Sequence, residues 1–251
     1  MLPKLPRRAA LALAIGIFAA LPLRADTKIG DLERVQIEQI VRDYLLQNPE
    51  LLVEVMRRLE ARQDAQAKVE NEGKIKRHRT ALFATPHDFV VNPGGEIPVV
   101  EFFDYQCGYC KRFLPSVTRL LKEDKTVRFV FKEFPILGEM SMVASKAAMA
   151  AKMQGKYMEF HNAVMALRRP LSEQLIFQVA AHVGLDVDRL RKDMEKPAVA
   201  KAIDENRRLA ANMGIRSTPS LIVGDQLVPG AIDYGQLTEL IQAAKDNCAV
   251  C

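Results

Sequence analysis

The chain has 251 residues, 49% of them hydrophobic, enough for one substantial core and an accessory segment. Its formal charge of +5 is a property of the N-terminus: without Lys4, Arg7, Arg8 and Arg24 the balance is 32 basic to 31 acidic residues, which argues against nucleic acid as a partner. Four cysteines in two CxxC pairs are too few to staple a fold of this size, and they read as chemical tools.

Lys4, Arg7 and Arg8 precede an apolar stretch of 13 residues, Ala9 to Leu21, which Pro22 breaks before Ala25. This is the layout of a secretory signal occupying residues 1–25, with the apolar run short for a bilayer span. Leu23 is larger than the residue expected two places before the cut, so an uncleaved anchor is the rival reading. Export puts the working part where disulfides form and persist, in the periplasm.

Ile37, Ile40, Val41, Tyr44 and Leu45 follow the spacing of an amphipathic helix, and Leu52, Val55, Met56 and Leu59 repeat it after the cap-and-proline signal Asn48-Pro49. Neither apolar face can be buried by its own helix, and self-association is the favoured cover. From Glu60 to Arg79 the chain is helix-prone but polar and ends in a basic run, expected as a solvated linker.

Asp88 to Val91 and Ile97 to Phe103 read as strands around Asn92-Pro93-Gly94-Gly95. A helix then starts at Cys107, with Phe113, Leu114, Val117, Leu120 and Leu121 as its core face and Pro115 inside it. Val127 to Phe134 is a strand. Residues 138–213 are mostly helical, with breaks near Gly155, Pro170, Gly184 and Pro197. Ser220 to Val223 and Gln226 to Val228 form a hairpin across Gly224-Asp225, and a last helix begins at Asp233. The order is β-β-α-β, a helical insertion, then β-β-α.

Cys107-Gly108-Tyr109-Cys110 carries the chemistry. The spacing sets the first sulfur at a helix N-terminus, where free N–H groups and the dipole stabilise a thiolate, and the second within disulfide reach. Cys107 is thus expected to be the exposed nucleophile and Cys110 the resolving thiol, a redox-active disulfide needing no further cofactor. With no histidine between the cysteines, the Cys107 pKa is expected in the upper half of roughly 3.5–7. Glu101 shares a strand face with Val99 and Phe103, which predicts a buried carboxyl able to exchange a proton as Cys110 reacts. A zinc site joining both CxxC pairs is disfavoured, because 137 residues separate Cys110 from Cys248.

Strand, CxxC and helix in this order resemble the DsbA family of exported thiol–disulfide oxidoreductases over about Asp88 to Ala244. The resemblance implies an α/β thioredoxin fold at residues 81–251 with a helical insertion at about 138–213. It also implies that Glu101 is the acid beneath the disulfide, Lys132 its partner on the next strand, and Thr218-Pro219 a cis-proline facing the cysteines. Residues 40–50 resemble the stalk of the suppressor-of-copper-sensitivity C proteins, which implies a trimerisation stalk and linker at 26–80. The Gly108-Tyr109 dipeptide, and Thr218 before the proline, are similar to disulfide isomerases; oxidising members carry Pro-His.

The resulting expectation is an oligomeric isomerase or reductase acting on exported cysteine-containing proteins, with Thr218, Pro219, Gly108 and Tyr109 meeting substrate. Its rivals are a dithiol oxidase served by a membrane redox partner, and a non-catalytic copper-binding or holdase protein. Met140, Met142, Met149, Met153, Met158 and Met165 are either core or an adaptable surface. Tyr105 is expected either against substrate or in aromatic packing, and His161 and His182 in structural roles. The tail pair Cys248 and Cys251 is a local disulfide or a tethered second dithiol, and no metal site is assigned.

Overall fold

The computed structural model describes residues 30–247. The proposed signal segment and the Cys248–Cys251 pair lie outside the described residues. The chain divides into two compact units between Arg58 and Leu59.

In the first unit, helix α1 (Asp31–Gln47) closes at Asn48, whose backbone N–H and side-chain Nδ2 both donate to the Tyr44 carbonyl, at 2.9 and 2.8 Å. Pro49 then opens the way to α2 (Glu50–Arg77), which crosses the unit boundary. Ile37, Ile40, Val41 and Tyr44 are exposed on α1, as are Leu52, Val55, Met56 and Leu59 on α2. The apolar periodicity read from the sequence is therefore real, and most of its residues are exposed among the described residues.

The stretch expected as a solvated linker is helix as far as Arg77, and its end is anchored. Ile75 is fully buried and packs with Leu82 and Phe83 of the short helix α3 (Arg79–Phe83). Three apolar residues suffice to dock an otherwise polar segment, which is why its composition concealed the contact.

The second unit is built on a five-stranded sheet in the order β1-β3-β2-β4-β5. The strands are β1 (Phe89–Val91), β2 (Ile97–Phe103), β3 (Val127–Glu133), β4 (Ser220–Val223) and β5 (Gln226–Pro229). Only the β2–β3 pair is parallel; α4 (Gly108–Glu123) connects them. The hairpin β4–β5 turns on Gly224, at φ +57°, where a residue with a Cβ would be strained.

Alternation along β2 and β3 divides two cores. Val99, Phe103, Phe129 and Phe131 meet Phe113, Val117 and Leu120 of α4. Val100, Phe102 and Val130 face the other way, toward Ile75, Leu82 and Phe83. The insertion is five helices: α5 (Glu139–Met153), α6 (Tyr157–Ala166), α7 (Glu173–His182), α8 (Val187–Met194) and α9 (Pro197–Met213). Small side chains at Ala144, Ala147, Ala148 and Ala151 let α5 pack closely among its neighbours. Met149 and Met165 are core residues, Met140, Met142 and Met158 lean on the cores, and Met153 is 38% exposed. Helix α10 (Tyr234–Asn247) is the last element among the described residues.

The parallel register sets Glu101 beside Phe131 and Lys132 beside Phe102. Lys132 therefore lies on the opposite sheet face from Glu101 and is not its partner. Its buried ammonium pairs with Asp88 and donates to the Ala81 carbonyl at 2.6 Å and the Thr85 hydroxyl at 3.2 Å. Asn206 Nδ2 reaches the other Asp88 oxygen at 3.4 Å. This buried ion pair fastens α3, the β1 entry and α9 to the sheet.

Candidate active site

Cys107 is the N-cap of α4: its backbone is extended, and its Sγ accepts the Cys110 N–H at 3.3 Å. The strand end before it is fixed by Asp104, which is fully buried. One carboxylate oxygen of Asp104 accepts from Gln106 N–H and Ser141 Oγ, both at 2.7 Å. The other accepts from the N–H groups of Ile136 and Leu137, at 2.8 and 3.0 Å. Four donors on one carboxylate lock the turn that aims Cys107, and the Asp104 carbonyl also accepts the Cys107 N–H at 3.1 Å. The sequence reading missed Asp104; an aspartate three residues before the expected helix cap was the available signal.

From the far side the Thr218-Pro219 bond, which is cis, abuts the sulfur. The Thr218 carbonyl accepts the Cys107 thiol hydrogen at 3.1 Å. Under this cover Cys107 is only 5% exposed, so the expectation of an exposed nucleophile is corrected: the residue is buried against Thr218. Tyr109 does protrude, 62% exposed, with the Arg112 guanidinium 4.1 Å above its ring.

The two thiols are electrostatically opposite. The Cys110 side chain, then those of Thr218 and the N–H groups of Cys110 and Tyr109, lower the Cys107 pKa from 9.0 to about 5 against the cost of burial. That lies below the expected upper half of roughly 3.5–7, because these donors stabilise the thiolate without a histidine. Burial pushes the Cys110 thiol far up, and its bond to Cys107 and the charge of Glu101 add to this. Both cysteines are free thiols.

Glu101 is 4% exposed on the core face, and burial followed by the Cys107 charge raises its pKa to about 8. A second acid on that face was not foreseen. Burial raises Glu133 to about 8 as well, and its Oε1 accepts from Tyr157 at 2.7 Å and from Tyr105 at 3.2 Å. Tyr105 Oη also lies 3.2 Å from His161 Nδ1. With the single Tyr105 hydrogen given to Glu133, that nitrogen carries its own hydrogen, and burial keeps His161 neutral with a pKa of about 3. Tyr105 is fully buried and packs edge-on to Phe103, which settles its role as aromatic packing.

Among the described residues, no three His, Cys, Asp or Glu side chains gather as a metal site, and no helix is long and apolar enough to cross a membrane. The arrangement can do thiol–disulfide exchange: a stabilised thiolate at Cys107, a protonated thiol at Cys110, and a carboxyl poised near neutral pH beside them.

Residues 98–242 match the model of the DSBA-like thioredoxin domain, and residues 33–66 that of the copper resistance protein ScsC N-terminal domain. A thioredoxin-like oxidoreductase from Silicibacter pomeroyi is 43% identical, with a TM-score of 0.66, over 67% of this chain and 98% of that one. BcfH from Salmonella enterica Typhimurium is 28% identical, with a TM-score of 0.72, over 85% of this chain and 96% of its own. The thiol-disulfide exchange protein α-DsbA2 from Wolbachia pipientis is 28% identical, with a TM-score of 0.67, over 71% and 97%. A curated relative, a Na(+)/H(+) antiporter of Salinispora tropica, is 27% identical over 150 residues, 59% of this chain; the chain spans about a quarter (23%) of that relative's length.

Proposed function

This chain belongs to the DSBA-like thioredoxin domain family, and from that premise we propose that it is a periplasmic protein disulfide isomerase or reductase working as an oligomer. The observation that carries the reading is the pairing of a low-pKa Cys107 at the N-cap of α4 with a buried, protonated Cys110. The Cys107 thiolate attacks one sulfur of a substrate disulfide, forming a mixed disulfide while the other substrate sulfur leaves as a thiolate. In isomerisation that freed thiolate attacks another substrate disulfide, and a later exchange releases Cys107. In reduction Cys110 gives its proton to the ionised Glu101, attacks Cys107, and expels the second substrate thiolate; Cys107–Cys110 becomes the disulfide. The backbone at Thr218, beside the sulfur, offers edge-strand pairing to an extended substrate.

The oligomer rests on the uncovered apolar faces of α1 and α2 and on the ScsC N-terminal match. Several Cys107 centres in one assembly suit a substrate that must be attacked more than once. Export rests on the charged and apolar pattern of residues 1–25.

One observation favours a second reading, the dithiol oxidase. A Cys107 pKa of about 5 stabilises the reduced form, which makes the Cys107–Cys110 disulfide more oxidising. The decisive experiment reacts the mature chain with a scrambled disulfide-rich protein in a glutathione buffer and, in parallel, measures the Cys107–Cys110 potential. Recovery of native pairing that Cys107→Ser abolishes supports the isomerase. Net oxidation of a reduced substrate without reshuffling supports the oxidase, with a membrane partner as its electron acceptor.

A further inference from the structure

Next to the attacking cysteine lies a cleft of about 340 Å3. One wall is the start of α4, with Gln106 and Gly108 on either side of Cys107, then Lys111 and Arg112. The other is the connection between α6 and α7, which brings Arg168 and Arg169. Four cations line this cleft and no carboxylate does, in a chain whose charges otherwise balance.

The walls are tied together. Lys111 Nζ donates to the Leu167 carbonyl at 2.8 Å, which fixes the α6–α7 connection against α4. Arg112 is held over Tyr109 at 4.1 Å, so its charge stays at the mouth. Burial and then the Arg168 charge lower the Lys111 pKa, while the charges of Asp104, behind the turn, and of Cys107 hold it up. Arg168 and Arg169 are exposed and extend the positive field toward solvent.

We propose that this cleft is a specificity subsite that selects disulfides flanked by acidic residues on the substrate polypeptide. The proposal rests on the exchange reading above and adds the chemistry of the partner. An extended substrate carrying Asp or Glu beside its target cysteine brings those carboxylates to the cationic walls as its sulfur reaches Cys107. A positive field concentrates such substrates and raises the encounter rate, with an effect that salt suppresses. The bond changes are those of exchange alone: Cys107 sulfur bonds to the near substrate sulfur, the far sulfur leaves with the electron pair, and nothing is oxidised or reduced overall.

The test uses the reduced full chain and three peptide disulfides of one length that differ only in flanking residues: acidic, uncharged or basic. Second-order exchange rates are measured at about 10 mM and about 150 mM salt, where the screening length falls from about 30 to about 8 Å. The acidic peptide should react roughly tenfold faster than the uncharged one at low salt, and the ratio should shrink at high salt. In Arg168→Gln/Arg169→Gln that ratio should fall toward one, while the alkylation-monitored titration midpoint of Cys107 stays at about 5. Equal rates for the three peptides overturn the proposal, as does an acidic preference that the double variant keeps. A shift of the Cys107 midpoint matching the lost preference assigns the effect to the thiol and also overturns it. Glutathione disulfide is assayed alongside, and a salt-sensitive preference for it without one for the acidic peptide would assign the cleft to a small-molecule disulfide and overturn the proposal. Failure of all substrates to react contradicts the exchange reading itself, a separate outcome.

Discussion

Glu101 and Lys132 stand on adjacent strands but on opposite faces of the sheet, because the parallel register aligns Glu101 with Phe131 and Lys132 with Phe102. The consequence is two separate buried charges with different work. Lys132 is neutralised by Asp88 on the α3 side. Among the described residues no cation offsets the burial of Glu101, and its pKa of about 8 keeps it mostly protonated at neutral pH with an ionised fraction available to Cys110.

Glu101→Gln should therefore slow the resolving step while sparing the first attack. Formation of the mixed disulfide proceeds from the Cys107 thiolate, which exists without Glu101. Its decay needs a base for the Cys110 proton and should fall by roughly a hundredfold. Rapid-quench analysis of a single turnover separates the two phases.

The same residue gives a signed pH effect on stability. The folded pKa of Glu101, about 8, lies above its ordinary 4.5, so its stability contribution is full below pH 4.5 and is lost as pH rises to about 8. The loss is on the order of 3–5 kcal/mol. Urea unfolding of parent and Glu101→Gln should show the variant gaining on the parent steadily between those pH values. Comparing the two proteins cancels the parallel effect of Glu133, and the opposite effect of Cys107, which is coupled to Glu101 through its charge, is followed by titrating Cys107 in both.

Lys132→Met leaves Asp88 buried without its cation and should cost about 3–5 kcal/mol in unfolding free energy. Because the pair is on the far face, the Cys107 titration should stay at about 5. A large shift of that midpoint would mean that Lys132 acts on the cysteines after all.

Strand–turn–helix and the CxxC were legible because each rests on local spacing: Cys107 caps α4, the breaks foreseen near Gly155, Pro170 and Gly184 fall between observed helices, and Pro197 opens α9. Lys132 was misassigned because sequence gives a strand but not its register, and a one-residue slip changes the face. The Glu133–Tyr105–Tyr157–His161 cluster was hidden for a related reason. Its members come from a strand, a turn and a helix, up to 56 residues apart, and only tertiary packing joins them. Ile75 was hidden by its polar neighbours.

Charges placed on the α1 face should dissolve the assembly. Ile40→Glu with Tyr44→Lys alters two exposed residues, so α1 itself persists while the proposed contact between chains is lost. Light scattering should give an oligomer for the parent and a monomer for the variant. Isomerase activity per Cys107 should drop as well, whereas exchange with a single-disulfide peptide should continue.

The Cys110 side chain is the largest cause of the low Cys107 pKa. Cys110→Ala should raise the thiolate titration, followed by ultraviolet absorbance, well above about 5. Cys110→Ser retains a hydroxyl donor and should stay close to the parent.

The most direct test is covalent capture by that Cys110→Ser protein. It is incubated with a disulfide-bonded protein at pH 6, 7 and 8, quenched with acid, digested and mapped by mass spectrometry. The account predicts a mixed disulfide on Cys107 that forms at nearly the same rate at all three pH values, since the thiolate is already populated above about 5. No adduct on Cys107, or one whose rate rises about tenfold with each pH unit as an ordinary thiol requires, would contradict it.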